Sequence, residues 1–260
     1  MGRQVCRTVL AHPELDLVAA VDPGYGGSAL DDILGITAGR MVVSGELGAL
    51  RTTATEVVVD FSRLDAARAT LDFCADAGIH AVVGTTGFTQ ADLDDLANSF
   101  GGPEHGSPNC IVVANFAIGA VLMMKFAELA APWFDGAEIV ESHHAGKLDA
   151  PSGTALRTAE RMAAARRDSG AGVFPADRTT TPVVDGARGG DGPGGVRIHS
   201  VRLPGLVAHQ EVVLGAVGQS LTIRHDSYDR ASFMDGVVLA VQEVASRPGL
   251  TIGLEPLLGL

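Results

Sequence analysis

Apolar positions in the first half of the chain follow two alternating patterns. Apolar residues recur at helical spacing over residues 1–10, and His12-Pro13 predicts the end of that helix. Short, nearly continuous apolar runs then predict strands that are buried on both faces. These runs are DLVAAVD (16–22), EVVVDFS (56–62), HAVVGTT (80–86) and CIVVANF (110–116). Helical patterns separate the later runs, in LDAARATLDFCADAG (64–78) and TQADLDDLANSF (89–100). This alternation predicts an α/β domain with a doubly wound parallel sheet, a Rossmann-like fold.

The pattern changes from Ala117 onward and predicts a second domain of the α+β class. Helices are predicted for residues 117–134, 153–167 and 229–245, and a strand for AEIVES (137–142). A glycine-rich segment, DGARGGDGPGG (185–195), predicts a flexible loop. Three further strand patterns follow, GVRIHSVRL, HQEVVLGAV and QSLTIRHDS. Because turn residues separate them, a mostly antiparallel sheet is expected.

Composition narrows the class of protein. Hydrophobic residues make up 46% and charged residues 19% of the 260 residues, which is typical of a globular chain. A net charge of −12 argues against a general nucleic-acid partner and requires a local positive cluster for any anionic ligand. No apolar run reaches the ~18 residues of a membrane span, and no signal peptide pattern is seen. The three cysteines are odd in number and widely spaced, which favours a cytoplasmic location over a disulfide or zinc framework.

The stretch ESHHAGKLDAPSGTA (141–155) concentrates candidate chemistry. Its Lys147 is one of only two lysines in the chain. A metal site is one interpretation, but adjacent histidines on an extended chain point to opposite faces, and no further ligand motif accompanies them. A second interpretation is a pair of ordinary core or surface histidines. A third is an anion site with an acid catalyst.

The third interpretation uses every polar residue of the stretch. Pro151 followed by Ser152-Gly153-Thr154 predicts a helix start, whose free N–H groups bind carboxylates. Lys147 adds a compact positive charge, and histidine donates protons near neutral pH. The stretch therefore predicts a substrate with one or more carboxylates.

Candidate cofactor contacts lie at predicted strand ends. Asp22 closes the first apolar run, where an acid binds ribose hydroxyls in a dinucleotide site, although an ordinary turn aspartate fits equally well. Gly84, Thr85 and Thr86 end another strand, where the alternative is a simple capped turn. The segment VANF (113–116) ends the next strand along the chain.

These motifs together resemble bacterial dihydrodipicolinate reductase, also called 4-hydroxy-tetrahydrodipicolinate reductase. The resemblance rests on ESHHAGKLDAPSGTA and extends to VVDFS, HAVVGTTGFT, ANFAIGAVL and LPGLVAHQEVVLG. It implies an enzyme of the diaminopimelate and lysine pathway that reduces a cyclic dicarboxylate with NADH or NADPH. It also implies a homotetramer that has neither a nucleic-acid nor a membrane partner.

The resemblance implies a role for each candidate residue. His143 would be the general acid and Lys147 the second catalytic residue. Substrate carboxylates would be bound by His144, Gly153 and Thr154. Cofactor contacts would come from Asp22, Gly84, Thr85, Thr86, Val113, Ala114, Asn115 and Phe116. No metal is implied.

The resemblance also implies a division of the chain. Residues 1–114, completed by a C-terminal segment at 225–260, would form the dinucleotide-binding domain. Residues 115–224 would bind substrate and form the tetramer interface. The family's first strand and glycine-rich loop precede the residues that match here, of which only Met1-Gly2 correspond. The sequence therefore predicts that roughly a dozen residues of the working protein are absent from it.

Two other interpretations belong to different classes. A non-catalytic oligomeric binding protein would fit a chain whose nucleotide site has been lost. A semialdehyde dehydrogenase would need an activated cysteine. Cys74 lies in a predicted helix, and Cys6 and Cys110 lie beside apolar runs, so none has the setting of an activated thiolate.

Overall fold

The computed structural model describes residues 1–37, 39–101 and 107–260, which form two compact units. The first unit comprises Met1–Ile118 and Arg230–Leu260, and the second Gly119–Asp229. The α-helices are α1 (Gly2–Ala11), α2 (Leu30–Leu34), α3 (Leu64–Ala77), α4 (Gln90–Ser99), α5 (Ile118–Ala130), α6 (Gly153–Asp168), α7 (Met234–Glu243) and α8 (Glu255–Leu258). The strands are β1 (Val57–Asp60), β2 (His80–Val83), β3 (Cys110–Val112), β4 (Gly136–His143), β5 (Gly190–Asp191), β6 (Arg197–Arg202), β7 (Ala208–Ala216), β8 (Gln219–Ser227) and β9 (Leu250–Ile252).

The first unit contains a parallel sheet with the strand order β1-β2-β3-β9. Val82, Val83 and Ile111 are fully buried, which explains why these strands are apolar at successive positions rather than at alternate ones. Helix α3 ends at Gly78, whose positive φ of 70° suits glycine. The sheet and its helices confirm the predicted Rossmann-like α/β fold.

One predicted strand of this unit is wrong. Residues 16–22 form only a bridge, between Val21 and Ser44. The local hydrogen bonds join Ser44 N to Ala20 O and Asp22 N to Ser44 O, both at 2.9 Å. Because strands are defined by pairing, an apolar run that lacks a neighbour along its length does not become one.

The second unit contains a mixed sheet with the strand order β5-β6-β4-β7-β8. Strand β4 runs parallel to β6 and antiparallel to β7, and the other pairs are antiparallel, as the strand patterns predicted for most of the sheet. Its core joins Ile139 of β4, Met162 of α6, and Val212 and Leu214 of β7, all of them fully buried. Ala137, Ile139 and Glu141 of β4 are buried and the residues between them are not, so alternate positions share the core face.

The glycine-rich segment 185–195 is more ordered than a flexible loop. Gly190 and Asp191 pair antiparallel with β6. Gly194 has a φ of 68°, and a Cβ there would lie 2.3 Å from the Ala163 Cβ. Its lack of a side chain therefore permits a close approach to α6.

None of the helices in the described parts of the chain has both the length and the apolarity that a membrane crossing requires.

Asn109 connects β3 to the C-terminal part of the first unit. Its Nδ2 donates to Val244 O at 3.0 Å and to Ala245 O at 3.1 Å, and its Oδ1 accepts from Gly249 N at 3.0 Å. Only 5% of Asn109 is exposed. Asn109 and Gly249 each lie one residue before the paired residues Cys110 and Leu250. Their bond therefore positions β9 along the edge of the sheet.

We expect Asn109→Ala to destabilise the first unit by about 3 kcal/mol, because it leaves the buried Val244 carbonyl and two partly buried backbone groups without this partner. Thermal unfolding followed by circular dichroism should show a Tm lower by about 5–10 °C. Asn98→Ala, at an exposed position of α4, is the control and should leave Tm nearly unchanged. Equal Tm values for the two variants would contradict the proposed role of Asn109.

Candidate active site

A buried carboxylate, that of Glu141, lies at the centre of the motif-bearing part of the second unit. Glu141 is on the core face of β4 and is fully buried. Arg202, at the end of β6, donates to both of its oxygens, with Nη2 to Oε1 at 2.8 Å and Nη1 to Oε2 at 2.9 Å. Such a two-bond contact between a guanidinium and a carboxylate is strong and fixes the orientation of both groups.

His143 lies two residues farther along β4, on the same face as Glu141. Its Nδ1 is 2.6 Å from Glu141 Oε2. Burial lowers the pKa of His143, the Glu141 carboxylate partly opposes this, and the positive charges of Lys147 and Arg202 lower the pKa further. The net result is a histidine pKa below its usual range.

Glu141 has a pKa below its usual range. Burial alone would raise it, but hydrogen bonds from Arg202, Ser200 and His143 outweigh that effect. Glu141 is therefore an ionised acceptor at neutral pH.

Lys147 lies in the turn that follows β4. Its backbone N–H donates to His144 O at 3.1 Å. Its Nζ lies 2.8 and 2.9 Å from the two carboxylate oxygens of Asp149. The Asp149 side chain is 63% exposed, and Arg202 Nη2 donates to the Asp149 carbonyl at 2.7 Å. The same arginine therefore holds both the buried carboxylate and the lysine-bearing turn.

Helix α6 begins where the sequence predicts it. Ser152 is the N-cap residue, and its hydroxyl accepts from Ala155 N at 3.2 Å. Ser152 N donates to Glu141 Oε1 at 3.2 Å, which connects the helix start to the buried carboxylate. Gly153 and Thr154 form the first turn, which contains no acidic residue. Gly153 is exposed and its missing Cβ faces open space, so an anion can approach the helix N-terminus closely.

His144 differs from its neighbour in the sequence. It follows the end of β4 and is exposed, whereas His143 is partly buried. Among the described residues, no group of three potential ligands is placed to hold a metal ion. The pair therefore supplies one histidine that is fixed by a carboxylate and one that is open to solvent.

The other predicted residues lie in the first unit, where the ends of β2 and β3 bring two groups of them together. Val113 N donates to Val83 O at 2.8 Å, which places the segment 113–116 next to Gly84. A Cβ on Gly84 would lie 2.0 Å from the Phe61 ring, so only glycine fits there. Phe61 also packs on Phe116, with ring centroids 5.5 Å apart.

The remaining candidates of this group differ in how far they are exposed to solvent. Thr85 is buried, and its hydroxyl donates to Ser62 O at 2.9 Å. Asn115 Oδ1 accepts from Ala117 N at 2.9 Å. Thr86 and Ala114 are exposed. Thr85 and Asn115 therefore shape the strand ends, while Thr86 and Ala114 are open to a ligand.

Asp22 begins the turn that follows Val21, and its Oδ1 accepts from Gly24 N at 2.8 Å. A shallow cavity of about 530 Å³ lies in the same unit. It is lined by Arg3, Tyr25, Gly27, Ser28, Ala29, Asp32 and Ile33. The first turn of α1 has no acidic residue and no side-chain cap, so its N–H groups and Arg3 suit an anionic phosphate. These donors suit one phosphate group, and the same lining also contains the Asp32 carboxylate.

Two residues of the site were missed by the sequence analysis, Glu141 and Arg202. Glu141 stands inside the quoted motif, and its spacing of two from His143 on a strand was a usable signal. Arg202 is 61 residues away in the chain and carries no local signal. It reaches the site because β6 pairs in parallel with β4, with Arg202 opposite His143.

No cysteine of the chain has the properties of a nucleophile. Burial raises the pKa of Cys74 to about 12 and also raises the pKa values of Cys110 and Cys6. All three are free. A thiolate mechanism of the semialdehyde dehydrogenase kind is therefore not supported.

We expect Arg202→Met to destabilise the second unit by about 3–5 kcal/mol at pH 7, because it leaves Glu141 buried and unpaired. In the variant, the pKa of Glu141 rises above its unfolded value of about 4.3, so acidification toward that value should reduce the deficit. In the parent protein, the lowered pKa makes the contribution of Glu141 decline as pH falls below that value.

Urea unfolding at pH 7 and at pH 5, followed by circular dichroism, measures this effect. Arg197→Met is the control, because Arg197 lies on the same strand but pairs with Asp177 and with the exposed Asp191. A loss of unfolding free energy as small as that of Arg197→Met would contradict the expected result. So would a loss that became larger on acidification.

Comparison with known proteins places the chain in a family. The N-terminal family model of dihydrodipicolinate reductase matches residues 1–116, and the C-terminal model matches residues 119–258. The 4-hydroxy-tetrahydrodipicolinate reductase of Nocardia farcinica is 48% identical over 100% of this chain and 95% of its own length. That of Mycobacterium marinum is 50% identical over 90% of this chain and 93% of its own length.

A solved structure agrees with these matches. The dipicolinate-bound dihydrodipicolinate reductase from Paenisporosarcina sp. TG-14 superposes with a TM-score of 0.84 at 39% identity. The superposition covers 98% of this chain and 94% of that structure. The chain therefore belongs to the dihydrodipicolinate reductase family.

Proposed function

We propose that this chain reduces 4-hydroxy-tetrahydrodipicolinate to tetrahydrodipicolinate with NADH or NADPH, the 4-hydroxyl group leaving as water, in the diaminopimelate and lysine pathway. Its family membership and the names of its relatives support the reaction. The observation that carries the site assignment is the contact of His143 with the buried Glu141, beside Lys147 and the start of α6. Three free cysteines support a cytoplasmic location.

The substrate carboxylates would be held by the turn after β4 and the start of α6. The N–H groups of the first turn, including Gly153 and Thr154, provide donors and a positive helix end. Lys147 and the exposed His144 would add donors from the preceding turn. A local set of this kind is needed because the chain as a whole carries a net charge of −12. The dipicolinate bound by the relative is likewise a cyclic dicarboxylate.

Cofactor contacts are assigned to the first unit. Asp22 would face the adenosine ribose, and an acid there favours NADH because it repels a 2′-phosphate. The nicotinamide end would be lined by Gly84, Thr85, Thr86, Val113, Ala114, Asn115 and Phe116. When bound, the reduced nicotinamide supplies the hydride.

His143 would deliver the proton that completes the reduction. Its Nδ1 is engaged by Glu141, so Nε2 is the nitrogen available for a proton donor. The pKa of His143 is low in the protein alone, but two substrate carboxylates nearby would raise it. Substrate binding would therefore protonate the acid that the reaction needs. Lys147 would bind a carboxylate and assist the transfer, after which His143 recovers its proton from solvent.

The rival of a non-catalytic binding protein is disfavoured. It requires that the chain has lost its nucleotide site. The N-terminal family model matches residues 1–116, and the solved relative covers 98% of the chain.

We also propose that the chain forms a homotetramer through the sheet of the second unit. Strand β8 is the last strand of that sheet among the described residues, and its first four residues are exposed. Val217 and Tyr228, at its two ends, are 96% and 77% exposed. A long exposed edge beside apolar residues is typical of an association surface.

We expect light scattering to give a mass four times that of the 26.7 kDa chain. Val217→Asp should shift this mass toward smaller species, because it places a charge in the proposed interface. Val183→Asp is the control at a position that is 94% exposed and lies outside the sheet. A parent mass of one chain would refute the tetramer, and equal effects of both variants would refute the proposed surface.

We expect His143→Gln and Lys147→Ala each to lower kcat by about 10²–10⁴-fold, the range for loss of a proton-transfer group. Cofactor affinity should stay nearly unchanged, because the cofactor contacts are assigned to the other unit. The measurements are NADH consumption with enzymatically generated substrate, and calorimetry with NADH alone.

His199→Gln and Lys125→Ala are matched controls. His199 pairs with Glu138, and Lys125, the other lysine, pairs with Glu128. Near-parent rates in His143→Gln or in Lys147→Ala would exclude the role given to that residue. Failure of the unaltered chain to bind NADH would instead favour the non-catalytic binding protein.

A further inference from the structure

Glu141 is placed to control which nitrogen of His143 carries a proton. The Oε2–Nδ1 distance is 2.6 Å, and Glu141 is fully buried, so water does not compete for this carboxylate. An ionised carboxylate only accepts hydrogen bonds. Its contact therefore requires a proton on Nδ1, and in the neutral ring this leaves Nε2 as the unprotonated nitrogen.

The same carboxylate holds three elements together. It receives the Arg202 guanidinium from β6, the His143 ring from β4 and the Ser152 N–H from the start of α6. A rotation of the Glu141 side chain would break all of these bonds at once. The orientation of the histidine ring is therefore tied to the position of the helix N-terminus.

We infer that Glu141 is a positioning residue for the reduction. It fixes the ring and the tautomer of His143 so that Nε2 is the nitrogen that delivers the proton, and Arg202 keeps Glu141 ionised. This inference rests on the proposed function, in which His143 is the general acid. It adds a residue that does not touch the substrate and acts through His143.

Charge balance around His143 gives the inference a measurable consequence. The charged groups that face the ring are Glu141 on its own strand, Lys147 in the following turn and Arg202 on the neighbouring strand. Glu141 is the only negative charge among them. Without it, two positive charges act on the ring, and the pKa of His143 falls further. A lower pKa reduces the fraction of His143 that is protonated at any given pH.

The test uses Glu141→Gln and Glu141→Asp, with Glu138→Gln as a matched control. Glu138 lies on the same strand and likewise contacts a histidine and an arginine, His199 and Arg188, away from the site. We expect Glu141→Gln to lower kcat at least about tenfold with a smaller change in KM, as when a histidine loses its orienting carboxylate. The alkaline limb of the kcat/KM profile should move down by about one pH unit. Glu141→Asp retains the charge, so its limb should stay near that of the parent protein while kcat falls.

Long-range ¹⁵N–¹H NMR of the protein without substrate reads the tautomer directly. The signals of His143 are identified by their loss in His143→Gln. We expect neutral His143 to carry its proton on Nδ1 in the parent protein and in Glu138→Gln, and to shift toward Nε2 in Glu141→Gln.

Two results would overturn the inference. One is a proton on Nε2 in the parent protein. The other is a Glu141→Gln variant that keeps both the parent kcat and the parent pH limb. If Glu141→Gln does not fold, the parent tautomer and the kcat of Glu141→Asp still decide the question, because a parent-like kcat in Glu141→Asp would also overturn the inference. Failure of the proposed function would look different, because the unaltered chain would then consume no NADH with substrate while the tautomer could still be read.

Discussion

The ion pair between Glu141 and Arg202 determines the geometry of the second unit's site. Burying two charges costs several kcal/mol per ion before they attract each other, so such a pair is a poor way to gain stability alone. Here every oxygen of the carboxylate has partners, and the arginine also binds the Asp149 carbonyl. The pair therefore connects β4, β6, the lysine-bearing turn and the start of α6. Its main effect is to fix one arrangement of groups that would otherwise move independently.

This arrangement also separates the positive groups, which face outward, from the negative charge, which is buried. The turn and the helix start present donors and positive charge, while the one carboxylate that faces His143 is fully buried. The negative charge thus acts on the histidine at short range and is shielded from a dicarboxylate outside. Lys147 is already paired with Asp149, whose exposed carboxylate would be displaced by a substrate carboxylate under the proposed function. Binding would then exchange one ion pair for another at little electrostatic cost.

The sequence predicted most elements that have strong periodicity or long apolar runs. Helices α3, α4, α5 and α6 and strands β1 to β3 lie where their patterns indicated, since burial itself imposes those patterns. The predictions failed where an element depends on a partner that is distant in the chain. Residues 16–22 have the composition of a strand without its pairing, and β9 is only three residues long.

The same limit applies to the site. The motif around His143 and the helix start at Ser152 are local, so the sequence indicated them. The importance of Glu141 depends on its burial and on an arginine 61 residues away, and neither is visible in the linear pattern. The buried partner of His143 was therefore harder to predict than His143 itself.

The order of strands in the first sheet has a consequence for synthesis on the ribosome. Strand β9 pairs with β3, and Asn109 bonds to Gly249 across 140 residues of chain. All of the second unit, Gly119–Asp229, is translated between these partners. Its local hairpins and helices can form as soon as they emerge, whereas the edge of the parallel sheet stays open until Leu250–Ile252 has been translated. During that interval β3 offers an unpaired apolar edge, so the nascent chain has a defined period of exposure to chaperones and to aggregation.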